Sequence, residues 1–288
     1  MNSNQQNSTE IVIDVQHLDH SYPNGFVAIK DVSLEIPKGD FVGFIGQNGS
    51  GKTTLAKHFV GLLRPTKGTK GKVLVEGRDI IKTPVVDLAR KIGYVFQNAD
   101  DQIFSSTVVD EVAYGPKNMG FSKSEITEAV DRSLSELDIL HLKSEHPLSL
   151  SWGDRQKVAI ASVLANGPNI LILDEPTTGQ DLRGGHEILS TCQKLNEQGK
   201  TIIVITHNME LVAEYCKRVY LLYEGQILSE GPVDSVFMSV DTLRQSYITP
   251  PQITRLAALI SDKIPDFPTN IMTVDQLEKE IKQRMNTG

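Results

Sequence analysis

Gly46-Gln47-Asn48-Gly49-Ser50-Gly51-Lys52-Thr53 decides how the rest of this chain is read. The octet fits the pattern G-x-x-x-x-G-K-[ST], and each fixed position has a physical reason. Glycines let the backbone approach an anion with no Cβ in the way. Successive N–H groups in such a loop form an anion nest, and the positive end of the following helix strengthens it. Lys52 is placed to reach the β- and γ-phosphates of a nucleotide, the Thr53 hydroxyl to ligate Mg²⁺, and Thr54 continues the same first turn. A flexible Gly/Ser turn is the alternative, yet such an octet arises by chance in roughly one chain in a hundred of this length. The flanks favour the phosphate loop: residues 41–45 are short and mostly apolar, as a strand buried on both faces is, and residues 53–63 have a helical pattern.

A second apolar run, Ile170-Leu171-Ile172-Leu173, ends in the paired carboxylates Asp174 and Glu175. Strand alternation points the two side chains differently, which permits different tasks. Asp174 suits holding Mg²⁺, directly or through its waters, and Glu175 suits orienting an attacking water and taking its proton. An acidic pair at a strand end also serves as a helix cap, and the pair alone does not decide between the two. A third run, residues 201–205, is followed by Thr206-His207-Asn208. Helical patterns at 154–166, 183–197 and 209–215 alternate with these strands, so a parallel sheet with helices on its faces is expected.

The remaining sequence frames this core. Residues 1–9 read as a disordered leader, 11–15 and 32–36 as strands, and 219–223 with 226–229 as a closing hairpin around Glu224-Gly225. The stretch from about 98 to 167 is mostly helical, and Ser122 with Glu125 gives a capping box at one helix start. After residue 246 the pattern breaks at Pro250-Pro251, and 274–285 reads as a charged amphipathic helix, with Leu277 and Ile281 on one face. We take 10–246 as the main domain and 247–288 as a C-terminal extension. The 288 residues are 39% hydrophobic and 23% charged with a formal net charge of -7, which argues against a nucleic-acid coat. Cys192 and Cys216 make neither a metal pair nor a disulfide framework. The N-terminus lacks an apolar h-region and no apolar stretch is long enough to span a bilayer, so membrane association is expected through a partner.

In order and spacing these motifs resemble the ABC transporter ATPases over about residues 11–236. The resemblance implies an α/β P-loop NTPase fold, with a parallel core sheet, an antiparallel β subdomain and a helical subdomain. It implies that Tyr22 stacks on adenine and that Gln97, in Val95-Phe96-Gln97-Asn98, contacts Mg²⁺ or its water. Leu150-Ser151-Trp152-Gly153-Asp154 stands where the family has L-S-G-G-Q; Ser151 and Gly153 match and would face ATP on a second subunit, while Trp152 and Asp154 depart. Asp181, in Pro176-Thr177-Thr178-Gly179-Gln180-Asp181, matches a residue at that interface, and His207 matches the histidine that contacts the γ-phosphate. Glu175, His207 and Lys52 are thus the candidate catalytic residues, with Thr53, Gln97 and Asp174 the candidate Mg²⁺ ligands.

The resemblance further implies ATP as ligand, a dimer with an identical or homologous ATPase, and transmembrane partners that hold the chain at the cytoplasmic face of the membrane. The stretch Gln97-Asn98-Ala99-Asp100-Asp101-Gln102 is similar to that of energy-coupling-factor and cobalt-type importer ATPases, which points to import of a small solute such as a vitamin or metal ion. Two alternatives are a non-transport ABC ATPase and a low-turnover partner in an unequal pair. The first usually brings coiled-coil insertions or a second ATPase half, and this sequence has neither.

Overall fold

The computed structural model describes residues 10–64 and 70–287, so the expected leader lies outside the described residues. The chain opens with two long antiparallel strands, β1 (Ile11–Ser21) and β2 (Val27–Pro37), then β3 (Phe41–Ile45), the phosphate loop and α1 (Lys52–Phe59). It returns through β4 (Lys70–Val75), β5 (Arg78–Asp79) and α2 (Val85–Ala89) to β6 (Ile92–Val95). Three helices follow, α3 (Val108–Asn118), α4 (Lys123–Glu136) and α5 (Trp152–Leu164). Strand and helix then alternate through β7 (Ile170–Asp174), α6 (Leu182–Glu197), β8 (Thr201–Ile205) and α7 (Met209–Tyr215). The hairpin β9 (Arg218–Tyr223) and β10 (Gln226–Pro232) closes the sheet, before α8 (Val233–Met238), α9 (Val240–Gln245), α10 (Gln252–Ser261) and α11 (Val274–Thr287).

These strands form two sheets. One has the order β2-β1-β4-β5 and is antiparallel throughout; the other has the order β10-β9-β3-β8-β7-β6. In the second sheet β9, β3, β8, β7 and β6 run parallel, and only β10 is antiparallel, at the edge. All five residues in each of β3, β7 and β8 are buried, because both faces of that sheet are covered. Alternate residues serve different cores. Phe41, Ile45, Leu171, Leu173, Ile202 and Val204 face the helical side. Val42, Phe44, Ile170, Ile172, Ile203 and Ile205 face the antiparallel sheet, with Leu55 and Phe59 of α1 packed beside them.

The helical segment is clamped to the sheet by polar contacts as well as by packing. Gln102 Nε2 donates to the Ala159 carbonyl (2.8 Å) and to Ser162 Oγ (3.1 Å), while its Oε1 accepts from the Phe96 amide (3.1 Å). Arg155 Nη1 donates to both Asp100 carboxylate oxygens, at 2.8 and 3.1 Å. The turn after β6 is therefore tied directly to α5. The capping box expected at Ser122 is formed, with Glu125 reaching back to the Ser122 amide. A small third core, Ala257, Phe267, Ile271 and Leu277, lies wholly within residues 247–288, while Met272 packs into the main one. The helix expected over 53–63 stops at Phe59: Gly61, at φ 71°, turns the chain there. β1 runs on to Ser21, well past the expected 11–15, carried by pairing on both its edges rather than by its own alternation.

Candidate functional site

The carboxyl ends of β3, β7 and β8 open into a cavity of about 400 Å³ lined by Asn48, Gly49, Gly51, Lys52, Thr53, Thr54, Gln97, Asp174, Glu175 and His207, together with Phe26, Ala28, Thr178 and Ile205. This is where open parallel sheets hold ligands, because the loops leave the strands there. A larger cavity of about 610 Å³ beside β1 and β2 contains none of the motif residues, and there Asp14, Glu35 and Glu230 outnumber Arg218.

The phosphate loop is built on backbone that only glycine accepts. Gly46, Gly49 and Gly51 have φ of 146°, 81° and 106°. A Cβ on Gly46 would lie 2.3 Å from the Leu222 carbonyl oxygen, and one on Gly51 2.6 Å from that of Ala28. Gly49 meets nothing within 4 Å, so its side opens freely into the cleft. The α1 N-terminus that follows has no side-chain cap and no acidic residue in its first turn. Its leading N–H groups are thus directed at the cleft with the positive end of the helix dipole behind them, a setting made for an anion. Lys52 Nζ arches back over the loop, donating to the carbonyls of Gly46 (2.8 Å) and Gln47 (2.9 Å) and to Ser50 Oγ (3.4 Å). Burial pulls its pKa below the ordinary lysine value, and the nearby charges of Glu175 and Asp174 oppose that.

The acid pair is divided as strand alternation requires. Asp174, the last residue of β7, pairs in register with Ile205, so the chain two residues beyond Ile205 carries His207 over Glu175. Asp174 Oδ1 accepts from the Thr53 hydroxyl at 3.3 Å, and its Oδ2 accepts from the Tyr94 hydroxyl at 2.5 Å. Burial and the Asp174 charge push the Tyr94 phenol well above its usual range, so it stays a donor. Glu175 sits in the left-handed region at φ 48°, its amide bound to the Ile205 carbonyl at 2.8 Å. That conformation costs about 1–2 kcal/mol in a residue with a Cβ and turns the carboxylate into the cleft. His207 Nδ1 lies 2.8 Å from Glu175 Oε2, with the imidazole largely exposed and the carboxylate almost buried.

A divalent cation fits this donor set. Thr53 Oγ1 and Asp174 Oδ1 are hard oxygen donors already within reach of one another. Among the described residues no group of three or more His, Cys, Asp or Glu side chains forms a metal cage. One carboxylate and one hydroxyl, completed by phosphate oxygens, is how Mg²⁺ is commonly bound.

Gly46, Gln47 and Ser50 of the phosphate loop do not line the cavity, and four expected residues outside the loop do not line it either. Ser151 and Asp181 cap the N-termini of α5 and α6, and Gly153 lies in the first turn of α5 with open space around it. Tyr22 points its hydroxyl at Thr54 Oγ1 (3.0 Å), and its ring stacks at 6.5 Å on Phe26, which lines the cleft. Trp152 packs against the main core instead of standing clear of it. The sequence does not single out Phe26 or Thr178, which line the cavity, or Tyr94, which reaches Asp174 from β6. Phe26 and Thr178 lie in turns with no periodic signal, and the role of Tyr94 depends on its strand lying next to β7.

Known proteins resemble this chain in sequence and in fold. The profile of the family described as ABC transporter matches residues 29–178. The energy-coupling factor transporter ATP-binding protein EcfA of Methanocaldococcus jannaschii is 39% identical over 254 residues, covering 88% of this chain and 90% of that protein. An ABC transporter ATP-binding relative from Caldanaerobacter subterraneus is 42% identical over 248 residues, 86% of this chain but only 43% of its own length. The chain thus spans less than half of that curated relative. Among solved structures, cbiO1 from Clostridium perfringens, described as part of the ABC transporter complex cbiONQ, superposes with a TM-score of 0.75 at 34% identity, covering 88% of this chain and 99% of that one.

Proposed function

The chain belongs to the ABC transporter ATPase family, and from that premise we propose that it binds ATP with Mg²⁺ in this cleft and hydrolyses it to drive a membrane-embedded transport partner. The observation that carries the reading is the convergence of Lys52, Asp174, Glu175 and His207 on the uncapped N-terminus of α1. The loop amides and Lys52 hold the phosphates. Thr53 and Asp174, with Gln97 at the cleft wall, hold the cation, which supplies charge neutralisation at the transferred phosphoryl group. Glu175 orients the attacking water and accepts its proton, and His207, 2.8 Å away, donates toward the γ-phosphate. Phe26 and Tyr22 form the aromatic wall for the base.

Ser151, Gly153 and Asp181 lie away from this chain's own cleft, which supports their serving a nucleotide held by a second, identical or homologous, subunit. Among the described residues no helix is long and apolar enough to cross a membrane; the reading has the chain held at the cytoplasmic face by its membrane partners. The likeness to EcfA and cbiO1 supports an importer of a small solute such as a vitamin or metal ion. Residues 10–246 form the ATPase domain, with its helical part at about 98–167, and 247–288 an extension with its own small core. A second reading, a low-turnover member of an unequal pair, is favoured by the carboxylate that Asp154 places at the start of α5.

The test is to purify the tagged full chain from detergent-solubilised membranes of its own source and identify what accompanies it. Recovery with a multi-span membrane protein and a second ATPase supports the transport reading. Recovery alone, or with nucleic-acid-processing proteins, counts against it.

A further inference from the structure

We propose that Tyr94 is a positioning residue for the cation site: its hydroxyl holds the Asp174 carboxylate in the one orientation that turns Oδ1 toward Thr53 and the cleft. The inference rests on the reading that the cleft takes a nucleotide with Mg²⁺. A carboxylate on a short side chain is free to turn, since its terminal torsion is broad and two-fold. Here each oxygen has its own partner. Oδ2 accepts the Tyr94 hydroxyl at 2.5 Å, and Oδ1 faces the Thr53 hydroxyl at 3.3 Å. With one oxygen held by the Tyr94 hydroxyl, the plane of the group is set and the other oxygen is left facing Thr53. The long contact is readily exchanged for a cation between the two oxygens.

Tyr94 is itself held. It lies on β6, next to β7 in the parallel sheet, in register with Ile172. Its ring meets Phe96 edge-on at 5.4 Å. The same ring lines a second opening of about 210 Å³ on the outer surface, beside Gln102, Phe104, Tyr114 and Ser162. Tyr94 is thus held by packing against the core beside β6, with its polar end on the acid. A half-buried phenol needs some hydrogen-bond partner in any case, and the test must separate that ordinary role from positioning.

The experiment is a Mg²⁺ titration of fluorescent-ATP binding by the full chain, wild type against Tyr94→Phe, with binding in EDTA measured alongside. The substitution keeps the ring and removes only the donor. Loss of a group that orients a metal ligand commonly costs 10–100-fold in metal affinity. The expected result is that half-saturating Mg²⁺ rises by about tenfold while affinity in EDTA stays unchanged. Mn²⁺ in place of Mg²⁺, followed by its own spectroscopic signal, should show the same rise. An unchanged Mg²⁺ dependence, or an equal loss in EDTA, overturns the proposal. If Tyr94→Phe does not fold, Phe96→Leu loosens the ring's seat and leaves the hydroxyl in place; a smaller rise is expected, and no rise overturns the proposal equally. A wild-type chain that binds no nucleotide under either condition would sink the ATP reading itself, a distinct outcome.

Discussion

The hydroxyl of Ser151 donates to Oδ2 of Asp154 at 2.6 Å, and the Asp154 amide donates back to Ser151 Oγ at 3.2 Å. A serine has one hydroxyl proton, and here it is committed to a carboxylate. The start of α5 thus presents lone pairs and a negative charge, where the family resemblance expects a donor for the phosphate of a second subunit's ATP.

Replacing Asp154 by Gln restores a neutral capping box and releases that charge. In a pair of identical chains, D154Q should raise ATP-driven dimerisation and turnover by roughly threefold or more at low salt, less at high salt, because a charge near the surface is screened. Light scattering with ATP present, at two ionic strengths, checks this. An unchanged or weaker dimer would show that Asp154 acts only as a helix cap.

His207 Nδ1 lies 2.8 Å from Glu175 and the imidazole is otherwise largely exposed, so the fold should tolerate its loss. His207→Ala should lower hydrolysis by about 100-fold and leave both ATP affinity and melting temperature close to wild type. A drop in melting temperature of the same order as a core mutation would assign it to the fold instead.

Gly46 combines a φ of 146° with a Cβ position 2.3 Å from a backbone oxygen. Gly46→Ala must therefore shift the loop or β9, costing at least about 2 kcal/mol. Denaturant unfolding and ATP binding should both fall. Unchanged ATP affinity would contradict the loop geometry.

His58 is fully buried in α1, edge-on to His20 at 4.8 Å. Burial, and secondarily repulsion from His20, lowers its pKa from 6.5 to about 4. Because the unfolded chain takes up this proton first, the stability it contributes is complete above about pH 6.5 and is lost as pH falls toward 4. The loss is on the order of 3 kcal/mol. Unfolding by urea at pH 7.5 and 4.5 should show it, and His58→Leu should flatten the difference. An equally steep loss in the variant would place the sensitivity elsewhere.

Much of this molecule was readable in advance where local chemistry dictates structure. Phe41–Ile45 and Thr201–Ile205 are strands with those bounds, since a short apolar run between turn residues has few other options. The positions of the phosphate loop and of the carboxylates at the end of β7 were legible because each follows directly on a short buried strand. What was not legible depends on distant neighbours. β4 and β6 carry weak patterns of their own and exist through pairing with β1 and β7. Tyr94 meets Asp174 across 80 positions, and no local pattern announces that. Phe26 reaches the cleft from a turn, where aromatic residues follow no period. Ser151 and Asp181 matched by resemblance, yet within one chain they are helix caps.

The most direct measurement is phosphate release from ATP with Mg²⁺ by the full chain, beside Glu175→Gln under identical conditions. The predicted result is slow but measurable release by the wild type, a fall of about 100-fold or more in the variant, and equal ATP affinity in both. Equal release by the two proteins, or none by a wild type that also fails to bind ATP, would contradict the assignment of this cleft as an ATPase site.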